Sequence, residues 1–255
     1  MARSITSNSI AALIASLALG ATARAEDIRV VTTVAVKAAL SALVPVYEKA
    51  SGDKVVLVYE SSMNQKADLE GGGAFDLALT SGALMDSIVE KKMVAEGTRQ
   101  AMGSVVASIA YKHGTKAPDV SSPEALKAEL ASIKTISFSD PAAGGASSIY
   151  FQGVLKRLGL SDLIKGKEIV TKPGDGAGPV GEGRAEIGIA QSSEAAMVDG
   201  VDSVPLFPAD PASKTPYFMG VSAKAEHPKG ARAFEAFLKS PESAAVMKTK
   251  GIAVE

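Results

Sequence analysis

The chain of 255 residues has no cysteine and no tryptophan, only two histidines, and 5% aromatic residues. Without cysteine there are no disulfides, thiolate nucleophiles or thiolate metal sites, so the compartment has to be read from targeting signals. His113 precedes Gly114 after a strand pattern and His227 precedes Pro228 at a helix start, both loop positions. A multi-histidine metal centre or a His-activated nucleophile is hard to build from them. GxSxG and P-loop patterns are missing as well. An excess of one charge is also lacking: 27 Lys plus Arg face 28 Asp plus Glu. No global field draws the protein to nucleic acid or an acidic membrane, and charge recognition must be local. What the chain does have is 46% apolar residues, enough to fill one large domain or two smaller ones.

The N-terminus reads as an export signal. Arg3 supplies a positive start, Ile10 to Leu19 a short apolar core, and Ala23-Arg24-Ala25 a small-x-small cleavage site. The apolar run is about half of the roughly 20 residues a membrane span needs. Residues 1–25 are therefore expected to be a cleaved signal peptide, and the mature chain from Glu26 to be periplasmic.

From Ile28 the pattern alternates strand and helix. Strands are predicted at Ile28 to Val34, Val55 to Tyr59 and Leu77 to Thr80, with helices at Lys37 to Lys49, Ser61 to Glu70 and Ala83 to Lys92. Pro45 is expected to bend or loosen the first helix. A longer strand at Val105 to Tyr111 opens a second βα set, with strands near Thr135 to Ser139, Glu168 to Thr171 and Ile187 to Ala190. A proline-rich connector follows Val204 to Leu206 and leads to the strand Tyr217 to Ser222, and Pro228 and Pro241 each announce a closing helix. Such alternation predicts mostly parallel sheets flanked by helices. Two lobes are expected: 26–107 and the returning 208–255 form the first, 108–207 the second, with a ligand cleft between them.

The stretch Ile136 to Phe151, ISFSDPAAGGASSIYF, carries the most functional information. Asp140-Pro141 ends a strand, Gly144-Gly145 permits unusual backbone angles, and Ser147-Ser148 precede an apolar helix. A helix start of this kind favours negative charge, although an ordinary capped βα turn reads the same way. Gly176 to Gly181, GAGPVG, matches GxGxxG, but only GEGRAE separates it from the next strand, too short for the crossover helix of a dinucleotide site. It is expected instead to be a cleft-lining loop that contributes backbone N–H groups.

SDPAAGG and SIYFQGVLKRLGL within 136–160, GRAEIGIA at Gly183 to Ala190, ARAFEAFLKSPESAAVMKTKG at Ala231 to Gly251, and AFDLALTS at Ala74 to Ser81 resemble periplasmic molybdate-binding proteins and the wider class of extracellular solute-binding proteins. The resemblance covers nearly all of the mature chain. It implies a two-lobed α/β fold of the type II periplasmic-binding kind, acting as a monomer that captures a small anion and hands it to an ABC permease. The protein is expected to be a binding protein without catalytic activity, and without cofactors, metals or nucleic-acid partners.

Two donors implied by the resemblance are replaced. Ala35 stands where those proteins use a serine after the first strand, and Gln191 where they use a tyrosine. Ser61-Ser62 keeps the paired-serine motif. The candidate ligand-binding residues are Thr33, Lys37, Ser61, Ser62, Asn64, Ser81, Ser147, Ser148, Gly176 and Gln191, at strand ends and helix starts. Thr33, Asn64 and Ser81 read equally as strand-end or cap residues, and Lys37 as a solvated helix residue. This donor mixture suits a small organic carboxylate better than a symmetrical metal oxyanion. The alternatives are molybdate, tungstate or sulfate held by backbone N–H groups, an exported enzyme acting on a carboxylate or phosphate ester, and a flytrap sensor or adhesin.

Overall fold

The computed structural model describes residues 26–254; the expected signal peptide, 1–25, lies outside them. Among the described residues nine strands and nine α-helices alternate as far as β8. The first set is β1 (Asp27–Thr33), α1 (Lys37–Ser51), β2 (Lys54–Glu60), α2 (Ser62–Glu70), β3 (Leu77–Ser81) and α3 (Gly82–Glu90). The long β4 (Gln100–Lys112) opens the second, with α4 (Pro123–Ser132), β5 (Ile136–Ser139), α5 (Ala146–Leu158), β6 (Glu168–Thr171), α6 (Gly178–Gly181), β7 (Ile187–Gln191), α7 (Ser192–Ala195) and β8 (Val201–Pro205). The chain closes with β9 (Lys214–Val221), α8 (Pro228–Leu238) and α9 (Pro241–Thr249).

The strand order is β2-β1-β3-β9-β4-β7-β5-β6, with β8 beside β4. β4 is shared by the two lobes: Gln100 to Val106 pair with β9, and Ala107 to Tyr111 with β7. Each lobe holds three parallel strands, β2-β1-β3 or β6-β5-β7. Antiparallel β9, β4 and β8 complete them. Each lobe is thus mostly parallel, as expected, with one strand running against the rest: β9 in the first lobe and β4 in the second.

Parallel strands with both faces covered should be apolar throughout, and β3 is buried at Leu77, Ala78, Leu79 and Thr80. On one face of the first lobe, α1, α8 and α9 bury Leu40, Leu43, Phe234, Leu238 and Met247; on the other, Leu69, Met85 and Ile88 pack under α2 and α3. The second lobe has its own core around Ile109, Leu126, Phe138 and Phe151. Fully burying a side chain such as Phe151 or Phe234 contributes roughly 1.5–3 kcal/mol.

Local chemistry sets the helix ends. Ser122 accepts from the Ala125 N–H ahead of Pro123, Ser240 from the Ser243 N–H ahead of Pro241, and Gly52 and Gly159 close α1 and α5 at positive φ. Pro45 lies inside α1, which runs unbroken from Lys37 to Ser51. Part of the GAGPVG stretch is a short helix, α6, not an open loop.

Candidate functional site: an enclosed cleft between the lobes

Strand ends and helix starts of both lobes converge on one small space of about 30 Å³. The first lobe contributes the turn after β1 (Thr33, Val34, Ala35), the turn after β2 (Glu60, Ser61, Ser62) and Tyr217 of β9. The second contributes Gly144, Gly145 and Ala146 before and at the start of α5, the Pro173-Gly174 turn, and Gln191 and Glu194. A wider space of about 580 Å³ adjoins it, sharing Ser62, Gly144, Ala146 and Tyr217 and adding Ser81, Lys214 and Thr215.

The DPAAGG turn is shaped by Asp140, whose carboxylate accepts from the Ala142 N–H at 2.9 Å, and by Gly144 at φ +88. Gly144 faces Met63 at the start of α2, where a Cβ on the glycine would stand 3.7 Å from the Met63 Cβ. The turn thereby brings the start of α5 to the start of α2 across the cleft. Gly145 caps α5 without a side-chain bond, so the leading N–H groups have no side-chain acceptor there and point their positive dipole end at the cleft. Beneath Gly145 lies the Ser148 hydroxyl, fully buried and without a hydrogen-bond partner among the described residues.

Tyr217 and Thr33 join their hydroxyls at 3.1 Å. Burial pushes the Tyr217 phenol up to about 12, with the Glu194 charge adding to the rise, so it stays a hydrogen-bond donor at any working pH. Opposite, Gln191 ends β7. Its Nε2 donates to the Thr215 hydroxyl at a long 3.4 Å, and its Oε1 is buried with no partner. The Gln191 N–H donates to Glu194 Oε2 at 3.0 Å. Glu194 is 7% exposed, and burial lifts its carboxyl to about 7 despite that bond. Glu60 carries a second raised carboxyl, held up by burial and by Asp68, with its Oε2 buried and unpartnered. No Lys, Arg or His lines the enclosed space among the described residues.

The cleft therefore brings together Thr33, Ser61, Ser62 and Gln191, and Ser148 lies behind Gly145 without lining it. Ser81 lines the outer space only. Four expected residues stand elsewhere. Lys37 is exposed on α1, its ammonium 5.6 Å from the Tyr59 ring centre, because the short 3₁₀ turn Val34–Val36 carries the helix start past the cleft. Asn64 is exposed on α2, its N–H donating to the capping Ser61 hydroxyl. Ser147 is buried but does not line the cleft. Gly176 packs between strands: its carbonyl accepts from the Ser137 hydroxyl, and a Cβ there would meet the Ile189 carbonyl oxygen at 1.9 Å.

Sequence reasoning missed Glu60, Glu194 and Tyr217. For Glu194 a signal existed, since Gln191-Ser-Ser-Glu194 has the spacing by which a third-position glutamate reaches back to a helix-start N–H. Tyr217 had none, because only the return of β9 between β3 and β4 carries it to Thr33.

The family model for bacterial extracellular solute-binding proteins matches residues 28–253. An aconitate isomerase from Pseudomonas sp. is 28% identical over 95% of this chain and 93% of its own length. The Azotobacter vinelandii periplasmic molybdate-binding protein shares the fold at a TM-score of 0.72 and 18% identity, over 90% of this chain and all of that one. The Mycobacterium tuberculosis sulfate-binding protein SubI does so at a TM-score of 0.65 and 17% identity, over 91% and 88%. The chain belongs to the bacterial extracellular solute-binding proteins.

Proposed function

We propose that the protein is exported, loses residues 1–25, and captures a small organic polycarboxylate between its lobes for delivery to an ABC permease. The lining of the cleft is the observation that carries this reading: hydroxyl and N–H donors are mixed with two carboxyls raised toward protonation, Glu60 and Glu194. A fully ionised metal oxyanion is best held by donors alone. A carboxylate instead pairs well with a neutral carboxyl group, which donates an O–H and still accepts. The inner space of about 30 Å³ leaves room for no more than a small head group, and the adjoining 580 Å³ beside Lys214 takes the rest of a longer anion. Consistent with this class, the Pseudomonas relative is an aconitate isomerase, and aconitate is a small tricarboxylate.

Ligand closure follows from differential affinity: donors of both lobes reach one head group only when the lobes are together. Calorimetric titration of the purified protein against di- and tricarboxylates, molybdate and sulfate tests the reading. Tight molybdate or sulfate binding with no heat from any carboxylate would discard it.

A further inference from the structure

Anion capture uses Glu194 in its neutral form, as an O–H donor to a carboxylate; ionised, it repels the ligand it faces, and capture makes no use of a group that passes between the two forms. The structure nevertheless holds it carefully. Oε2 is fixed by the Gln191 N–H at 3.0 Å, and Oε1 lies toward Gly174, 3.8 Å from where a Cβ on that residue would stand. Gly174, at φ +81, also leaves no room for a side chain, which would press on Val34 at 2.7 Å. One carboxyl oxygen is thus anchored, and the other is directed to the edge of the cleft.

We propose that this cleft also catalyses a proton shift along the carbon chain of the polycarboxylate it binds, with Glu194 taking the proton from carbon and returning it. The inference rests on the polycarboxylate reading above. Loss of a proton from a CH₂ that is both next to a carboxylate and allylic to a C=C gives a dienolate. Its extra charge sits on the carboxylate oxygens, where the Tyr217 hydroxyl, Ser61, Ser62 and the start of α5 gather donors. In the step, Glu194 carboxylate removes H⁺, and the C–H electron pair forms a new C=C. The pair of the old C=C then takes H⁺ from the Glu194 carboxylic acid at the far carbon. The double bond has moved, Glu194 is again ionised, and nothing is oxidised, reduced or lost. A carboxyl lifted to about 7 populates both forms near neutrality, as an acid–base group requires. No nucleophile is involved, so the missing nucleophile–base pairing is no obstacle.

The test uses cis-aconitate, an unsaturated tricarboxylate with an allylic CH₂, and the purified protein in D₂O, followed by proton NMR with calorimetry in parallel. The expected result is binding, protein-dependent loss of the CH₂ signal and appearance of the trans isomer. Glu194→Gln should exchange about 10²- to 10⁴-fold more slowly, far beyond its loss of affinity in the parallel calorimetry, and Glu194→Asp, which keeps the acid but shortens it, should retain part of the rate. The parent rate should follow one ionisation near neutrality, apart from Glu60 and Tyr217, the other titratable groups of the cleft. Binding without exchange overturns the catalytic inference and leaves the capture reading standing. Exchange at the parent rate in a folded Glu194→Gln protein overturns the role of Glu194. Absence of binding to every polycarboxylate overturns both.

Discussion

The hydroxyls of Thr33 and Tyr217, 184 residues apart in sequence, meet at 3.1 Å in the cleft wall. This contact brings the end of the first strand together with the strand that returns from the second lobe, and it sets a phenol among the hydroxyl and N–H groups that line the cleft.

Tyr217→Phe keeps the buried ring and removes only the hydroxyl, so unliganded stability should change by no more than about 1 kcal/mol. Affinity for the polycarboxylate should fall roughly 10- to 100-fold, the worth of one bond to a charged group. Melting curves and titrations of the same samples separate the two effects, and an unchanged affinity would remove Tyr217 from the site.

Ser148 gives the opposite signature. Its hydroxyl is buried and has no partner among the described residues, so Ser148→Ala should leave the melting temperature unchanged or slightly higher, because an unsatisfied polar group is relieved. Ligand-induced stabilisation should shrink, corresponding to about tenfold weaker binding. A lower melting temperature without ligand, together with full ligand response, would mean the hydroxyl is structural.

Glu194 makes stability fall with rising pH. Its folded value of about 7 lies above the ordinary 4.5, so the unfolded chain releases the proton first. The favourable contribution is complete below pH 4.5 and is lost as pH rises through 7. The loss amounts to about 3 kcal/mol by pH 8. Denaturant melts at pH 5 and pH 8 should show Glu194→Gln with a flatter profile; Glu60 and Glu235, raised in the same direction, keep their slope in both proteins. Equal slopes would place Glu194 in a better-hydrated setting.

Gly176 and Lys37 test the boundary of the site. Gly176→Ala would drive a Cβ into the Ile189 carbonyl oxygen, at a cost of about 3 kcal/mol in stability. Lys37→Ala should change ligand affinity by no more than about twofold, as expected of an exposed residue outside the cleft. A large affinity loss on removing Lys37 would show that it reaches the ligand in the closed state.

Much of the architecture was legible in the chain. The strand Glu168–Thr171 matches its predicted bounds, the closing helices start at Pro228 and Pro241 as expected, and most of the αβ alternation forms where periodicity and prolines placed it. Those signals are local: pleat period, helical period, caps and turn formers act within a few residues. The serines of the cleft were legible for the same reason, since Ser61 and Ser62 sit at a strand-to-helix turn whose place in an alternating fold follows from order alone. Lys37 and Gly176 also occupy such turns, and the local pattern gives no information on which way each faces.

What the sequence by itself determined, then, is the α/β alternation, the helix ends and the turns that gather near one end of the strands. Tertiary structure alone decided that Tyr217 reaches Thr33, that Glu194 is buried against the cleft with one bond, and that Lys37 is not in it. These depend on contacts between segments far apart in the chain, and on how completely the lobes exclude water from a carboxyl group. Burial of that kind is a property of the assembled lobes, and no short stretch of residues encodes it.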